Sequence, residues 1–175
     1  MVHMIHKYPL ILRLFHWISA LLIVGLLVAG FYMSDMEPSD TKWMVYGLHK
    51  SFGVTIFGLV ILRICIRLVS HTPGTPDTVR WYESMIEKLT HLGLYALMIA
   101  LPISGYVMSV AKGHPVAWFG YLLPDFIGKH ESIGHLFKEY HELLAYGIIG
   151  LISLHFIGFL KHYFVDKENL LKRIW

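Results

Sequence analysis

The stretch Lys138–Phe164, KEYHELLAYGIIGLISLHFIGFLKHYF, decides how this chain folds. It is apolar for longer than the roughly 20 helical residues needed to cross a hydrocarbon core of about 30 Å. It also carries His141 and His155, fourteen residues apart. At about 1.5 Å and 100° per residue, the two lie about 21 Å apart along a helix and within about 40° of each other around it. One helix therefore offers two imidazoles on one face, near the two ends of a membrane span. An ionisable group within a span is costly and usually faces a bundle interior, so each histidine is a functional candidate.

Working outward, three more stretches can cross a bilayer: Leu10–Met33, Met44–Val69 and Leu89–Ala111. The first follows Lys7 and Arg13 and resembles a signal peptide at its start, but its apolar run is long and it holds His16 and Trp17, so it reads as a retained helix. The expected fold is all-α, one four-helix membrane bundle over residues 1–175. Only 15% of the residues are charged and mean hydropathy is +0.55, which sets the chain apart from soluble domains of its size.

The same composition excludes several functions. A net charge of +3 without a basic run gives no footprint for nucleic acid. A lone cysteine, Cys65, excludes an intrachain disulfide and zinc sites built on paired cysteines. The absence of Cys-x-x-Cys-His excludes covalent attachment of haem.

Lysine and arginine give the expected orientation. The N-terminal segment, the second connection with its flanks and the tail hold ten of them; the other side holds Lys42, Lys50, Lys112, Lys129 and Lys138. Both termini are therefore expected in the cytoplasm. The second connection, roughly 70–88, contains Pro73, Gly74 and Pro76, then a mixed-charge segment that can start the third helix early. The third, roughly 112–137, holds Pro115, Trp118, Phe119, Tyr121, Pro124 and Phe126. It reads either as an interfacial loop or as a segment folded back over the outer mouth.

Depth sorts the twelve histidines. His3 and His6 precede the first span, and His71, His114, His130 and His135 fall in connections or at their edges, where solvation accounts for them. His49 matches His141 in depth near the outer side, and His16 matches His155 near the inner side. These make two bis-histidine sites, one per leaflet, suited to two non-covalent b-type haems. Bis-imidazole ligation leaves no open axial position, which favours electron transfer over oxygen chemistry. His162 is too far from His141 to bound two buried sites. His91 could replace His16, or line a pocket beside the inner haem and hydrogen-bond a quinone headgroup or propionate.

Arg63, fourteen residues past His49, lies on nearly the same face about 21 Å further in. It can pair with a haem propionate, or simply follow the positive-inside rule like Arg67. Gly53, one turn from His49, would let a porphyrin lie against the helix. Lys50 and Lys138 flank the outer ligands as propionate partners, as a positive mouth, or as interface anchors.

With these residues in view, the chain resembles the bacterial cytochrome b561 family over nearly its whole length. The resemblance rests on LFHW (14–17), LHKSFG (48–53), HLGLYALMIALPISGYVMS (91–109), PVAWFG (115–120), KEYHELLAYGIIGLISLH (138–155) and KHYF (161–164). It implies haem b ligands at His16, His49, His141 and His155, and quinone as an electron partner in the bacterial inner membrane. One branch oxidises superoxide at the outer side and passes the electron to ubiquinone, so a superoxide:quinone oxidoreductase is among the implied activities. Two other functions remain in view: a haem-bearing anchor subunit of a larger hydrogenase or dehydrogenase complex, and a metal transporter, which would normally carry more carboxylates within its spans.

Overall fold

The computed structural model describes residues 7–71, 73–74 and 79–175. His3, His6 and Pro76 lie outside the described residues. The chain forms α1 (Leu10–Asp35), α2 (Asp40–Val69), α3 (Trp81–Ala111), the short strands β1 (Ala117–Trp118) and β2 (Tyr121–Leu122), α4 (Glu131–Phe164) and a final turn, α5 (Leu171–Ile174). The four long helices are each long and apolar enough to cross a membrane.

Two helices extend past their apolar cores. α3 begins at Trp81 and α4 at Glu131, well before the hydrophobic runs that identify them in the sequence. Their polar N-terminal segments carry side-chain pairs one turn apart, Glu87 with His91 and Glu131 with His135 at 4.0 Å, and Lys138 with Glu142 at 2.8 Å. Such pairs support a helix where hydropathy falls. His135 thus lies within α4 and His130 is its N-cap residue.

Packing runs in chain order. α1 packs on α2, α2 on α3 and α3 on α4, while α4 makes no comparable backbone approach to α1 or α2. The core that closes the bundle is a layer of Ile56, Val60, Met98 and Ile148, with Ile23 of α1 against it. Val60 and Ile148 are almost fully buried. Both described termini lie at one end, here the terminal end: the Tyr8 amide donates to the Arg173 carbonyl at 2.9 Å.

The opposite, hairpin end is covered by the third connection. Ala117 pairs with Leu122 and Trp118 with Tyr121, joined by Phe119 and Gly120 at φ +46° and +94°. Positive φ at both central residues is the geometry of a tight hairpin turn. Phe119 holds it without being glycine because its amide donates to Ser51 Oγ at 3.1 Å and its ring meets Phe52 edge-on at 5.2 Å. Ser51 Oγ also lies 3.0 Å from the Ala117 carbonyl, the Trp118 indole donates to Thr55 Oγ1 at 3.0 Å, and Lys50 Nζ donates to the Pro115 carbonyl at 3.2 Å. The hairpin is thus fastened along one face of α2, with Val116 buried beneath it.

Gly134, in the first turn of α4, is pressed against the end of α3. A Cβ there would meet Lys112 Cγ at 2.7 Å and the backbone of Lys112 and Ala111 at 3.3 and 3.4 Å. Gly134→Ala should therefore destabilise the protein by about 1–3 kcal/mol, the usual cost of overpacking. Gly58→Ala, where a Cβ meets nothing within 4 Å, should be neutral or slightly stabilising. Thermal unfolding of both variants in one detergent, followed by circular dichroism, measures the difference.

Candidate functional site

The four long helices share one spacing. Seven residues separate His16, Ile23 and Gly30 on α1; His49, Ile56 and Arg63 on α2; His91, Met98 and Gly105 on α3; and His141, Ile148 and His155 on α4. Seven residues are close to two helical turns, so each triplet stays on one face. Antiparallel packing then sorts them into layers. Ile56, Met98 and Ile148, with Ile23 against them, form the apolar middle. His49, His141, Gly30 and Gly105 form the layer towards the hairpin, and His16, His155, Arg63 and His91 the layer towards the termini.

On the hairpin side the His49 and His141 rings have centroids 6.4 Å apart. On the terminal side His16 and His155 are also 6.4 Å apart. With a metal–imidazole bond of about 2.0–2.1 Å and a ring radius of about 1.1 Å, two imidazoles trans on one metal ion lie about 6.2–6.4 Å apart. His91 is only 5.1 Å from His155, edge to face, too close to share an ion in trans. At the same depth as His16, it lies beside the pair rather than across from it.

The hydrogen bonds around the rings differ between the layers. His141 Nδ1 lies 3.1 Å from the Leu101 carbonyl and 3.0 Å from Ser104 Oγ. Donation of Nδ1–H to that carbonyl fixes the ring's orientation and frees Nε2 for ligation, the usual second-shell device at a metal-bound histidine. Ser104 Oγ donates to the same carbonyl at 2.9 Å, one residue before Pro102, which removes a helical N–H. His49 Nδ1 is buried with no partner among the described residues.

Small residues shape the space around the first pair. A Cβ on Gly30 would approach His49 Cε1 to 3.3 Å, and one on Gly105 would approach His141 Cε1 to 3.1 Å. Gly47 and Gly53 open onto the same cavity and meet nothing within 4 Å. The cavity is about 1010 Å³ and is bounded by all four long helices and the hairpin. That is at the upper end of the range for cofactor sites, about 300–1,000 Å³. Four lysines (Lys42, Lys50, Lys112 and Lys138) and one glutamate, Glu142, line it. Lys138 is paired with Glu142 and Lys50 holds the hairpin, so the net positive charge at this mouth rests mainly on Lys42, Lys50 and Lys112.

On the terminal side, Arg63 donates to His16 Nδ1 at 3.1 Å and lies 5.5 Å from the centre of the Tyr95 ring. The Tyr95 hydroxyl and Ser19 Oγ are buried without partners among the described residues. Tyr95 is four residues past His91 and Ser19 three past His16, so both face the same layer. His162 lies apart from the pair, its Nδ1 2.7 Å from Asp166 Oδ2. Arg67 is exposed, and His114 stacks near Trp43 at the hairpin end.

Donor type, ring separation and glycine-lined space fit a metal-centred planar group between His49 and His141. At the terminal side donor type, ring separation and unpartnered polar atoms fit a metal-centred group between His16 and His155, without a comparable glycine-lined space. Sequence reading missed Gly30, Gly105, Tyr95 and Ser19. The two glycines stand fourteen residues from His16 and His91, but that signal has meaning only once the facing helices are known.

Comparisons with known proteins give the family. The family model for prokaryotic cytochrome b561 matches residues 7–175. The chain is 31% identical to cytochrome b561 homolog 2 of Escherichia coli over 170 residues, 96% of this chain and 90% of that protein. It is 33% identical to a probable superoxide oxidase, CybB, of Yersinia pestis over 175 residues, 96% of this chain and 95% of that protein. Cytochrome b561 homolog 1 of Escherichia coli is 26% identical over 161 residues, 91% of each chain.

The glycine contacts generate a test. Gly105→Val or Gly30→Val should drive the facing imidazole aside and lower bound haem. The same change at Gly58, where a Cβ meets nothing, should leave it intact. Haem per chain, from the pyridine haemochrome, reads the outcome.

Proposed function

The chain belongs to the prokaryotic cytochrome b561 family, and on that premise we propose that it is a di-haem b-type cytochrome carrying electrons across the bacterial inner membrane. It is a multi-pass membrane protein whose family implies haem b, redox partners and a surrounding bilayer. The more specific reading is this: His49 with His141 would hold one haem and His16 with His155 a second, and groups held there would supply electron transfer between a donor at the hairpin end and quinone at the terminal end. The observation that carries it is the pair of 6.4 Å ring separations at two depths, joined by one helix. Haem iron held by two imidazoles supplies one-electron transfer.

The chain's own residues supply the rest. His141 is oriented by the Leu101 carbonyl, and Ile56, Met98 and Ile148 keep the space between the two sites dry. A histidine that binds iron through Nε2 keeps a proton on Nδ1, and that N–H cannot accept from a guanidinium. Arg63 would then leave His16 for a carboxylate partner, which is the propionate role argued from its depth. His91, with Glu87 4.0 Å away, is the group at this end that can hydrogen-bond a quinone headgroup and hand it a proton. The two termini, with the lysine and arginine excess near them, belong on the cytoplasmic side.

At the other end the lysines of the mouth suit an anionic donor, drawn in by long-range attraction. Superoxide fits by charge and size, and one relative bears the name of a probable superoxide oxidase.

Reduced-minus-oxidised spectra of the detergent-purified chain, with haem quantitation, test the ligand sets. Wild type should carry two low-spin b haems. His141→Ala and His155→Ala should each lose one, and His91→Ala should keep both while slowing quinone reduction at least tenfold. Retention of both haems in His155→Ala would refute the pairing. Lys50→Glu should slow reduction by superoxide, with the loss shrinking at high salt.

A further inference from the structure

The helices that carry His16 and His155 meet through side chains, such as Phe31 against Tyr146 at 5.6 Å on the hairpin side, but their backbones stay apart; α1 rests on α2 and α4 on α3. Something must fix their separation at the terminal end. The segment after α4 spans the gap between them there. At its root, Lys161 Nζ bridges Glu83 at 2.6 Å and Asp166 at 2.8 Å, tying α4 to the start of α3. The chain turns at Lys167, at φ +60°, and runs back beneath the bundle to the start of α1.

There it is fastened by four hydrogen bonds. The Tyr8 amide donates to the Arg173 carbonyl at 2.9 Å, the Trp17 indole to the Ile174 carbonyl at 3.1 Å, and the Arg13 guanidinium to the Trp175 carbonyl at 2.9 Å. Arg173 donates to the Gly74 carbonyl of the second connection at 2.7 Å and lies 6.0 Å from the centre of the Tyr8 ring. Trp17 and Trp175 meet edge-on at 5.9 Å, and the His16 ring stands 5.3 Å from Trp17.

We propose that residues 165–175 form a positioning strap, acting through Trp17 and Arg13, which holds His16 at ligating distance from His155. The strap joins the end of one ligand helix to the first turns of the other and touches neither imidazole itself. Its three contacts here fall on Tyr8, just before α1, and on Arg13 and Trp17 within its first turns; the last two bracket His16 and restrain both the rotation and the rise of that turn. The hairpin-side pair lies about 21 Å away and needs no such tether, because Ser51, Thr55 and Lys50 already fix α2 to the hairpin there.

The inference rests on the two-haem reading, and the test separates their failures. Full-length protein, Trp17→Phe, Arg13→Ala, Arg13→Lys and a chain ending at Leu170 are purified in mild detergent. The reduced forms are then exposed to carbon monoxide, which binds iron only where an axial ligand has left. Wild type should give no carbon monoxide difference spectrum. The shortened chain and Arg13→Ala should make about half of the haem reactive and add a high-spin ferric signal in electron paramagnetic resonance. Trp17→Phe should do so in part, and Arg13→Lys, which keeps a donor, should return towards wild type. Monomeric elution in size exclusion confines the comparison to folded protein, and the point variants decide the matter if the shortened chain is not recovered. Unreactive, low-spin haem in both Arg13→Ala and Trp17→Phe would overturn the strap. If His155→Ala kept two low-spin haems, the pairing of His16 with His155 on which the strap rests would fall instead.

Discussion

Two ring-to-ring distances of 6.4 Å, kept at two depths of one bundle, are the constraint on which the rest of this structure depends. Imidazoles buried in hydrocarbon are costly unless each nitrogen has a partner. Pairing them at ligation distance also dictates the spacing of the helices. α4 supplies one ring to each pair but stays clear of the backbones of α1 and α2, which supply the others. α3 therefore serves as the shared wall, packing on α4 along one side and on α2 along another. A bundle closed more tightly would bury more apolar surface and leave no room between the rings.

The seven-residue repeat shows how one architecture makes two unlike sites. Each helix presents the same sequence of positions, but the occupants differ. Beside the hairpin-side pair stand Gly30 and Gly105, which contribute only the absence of a side chain. Beside the terminal-side pair stand Arg63 and His91, which contribute charge and hydrogen bonding. Between them, Ile148 sits midway along α4, seven residues from each histidine. The apolar middle separates an open, glycine-lined site from a polar, crowded one, so the molecule has a direction built into its packing.

Much of this was legible in the sequence. Hydropathy marks the four helices, and helical geometry puts Ile148 midway between His141 and His155 without any coordinates. What was not legible depends on contacts between distant parts of the chain. Depth ranks His16 first for His155 but leaves His91 open as a replacement, because sideways position depends on which helices pack. The hairpin strands are two residues each, and Phe119 accepts a positive φ only because Ser51 of α2 holds its amide. The strap uses carbonyls of residues 173–175, and a backbone carbonyl has no sequence signature. Lys172 and Arg173 could be read only as charges on one side of a membrane. Lys138 is the reverse case: its charge was visible, but its pairing with Glu142 reduces what it adds to the mouth.

The polar atoms left over sort by layer, and that bears on what each site asks of a ligand. Near the terminal-side pair, the Tyr95 hydroxyl and Ser19 Oγ are buried without partners, one turn from His91 and His16 respectively. Near the hairpin-side pair the only such atom among the described residues is His49 Nδ1. A buried hydroxyl without a partner costs about 1–3 kcal/mol, and two beside one site would be selected against unless something met them. A haem's macrocycle is apolar; its propionates, or a quinone's carbonyls, are what could meet a hydroxyl. The terminal side therefore has the donors for an oxygen-bearing ligand within the membrane, while the hairpin side offers apolar room with its lysines at the rim. A substrate that enters from lipid suits the first, and one that arrives from water as a small anion suits the second.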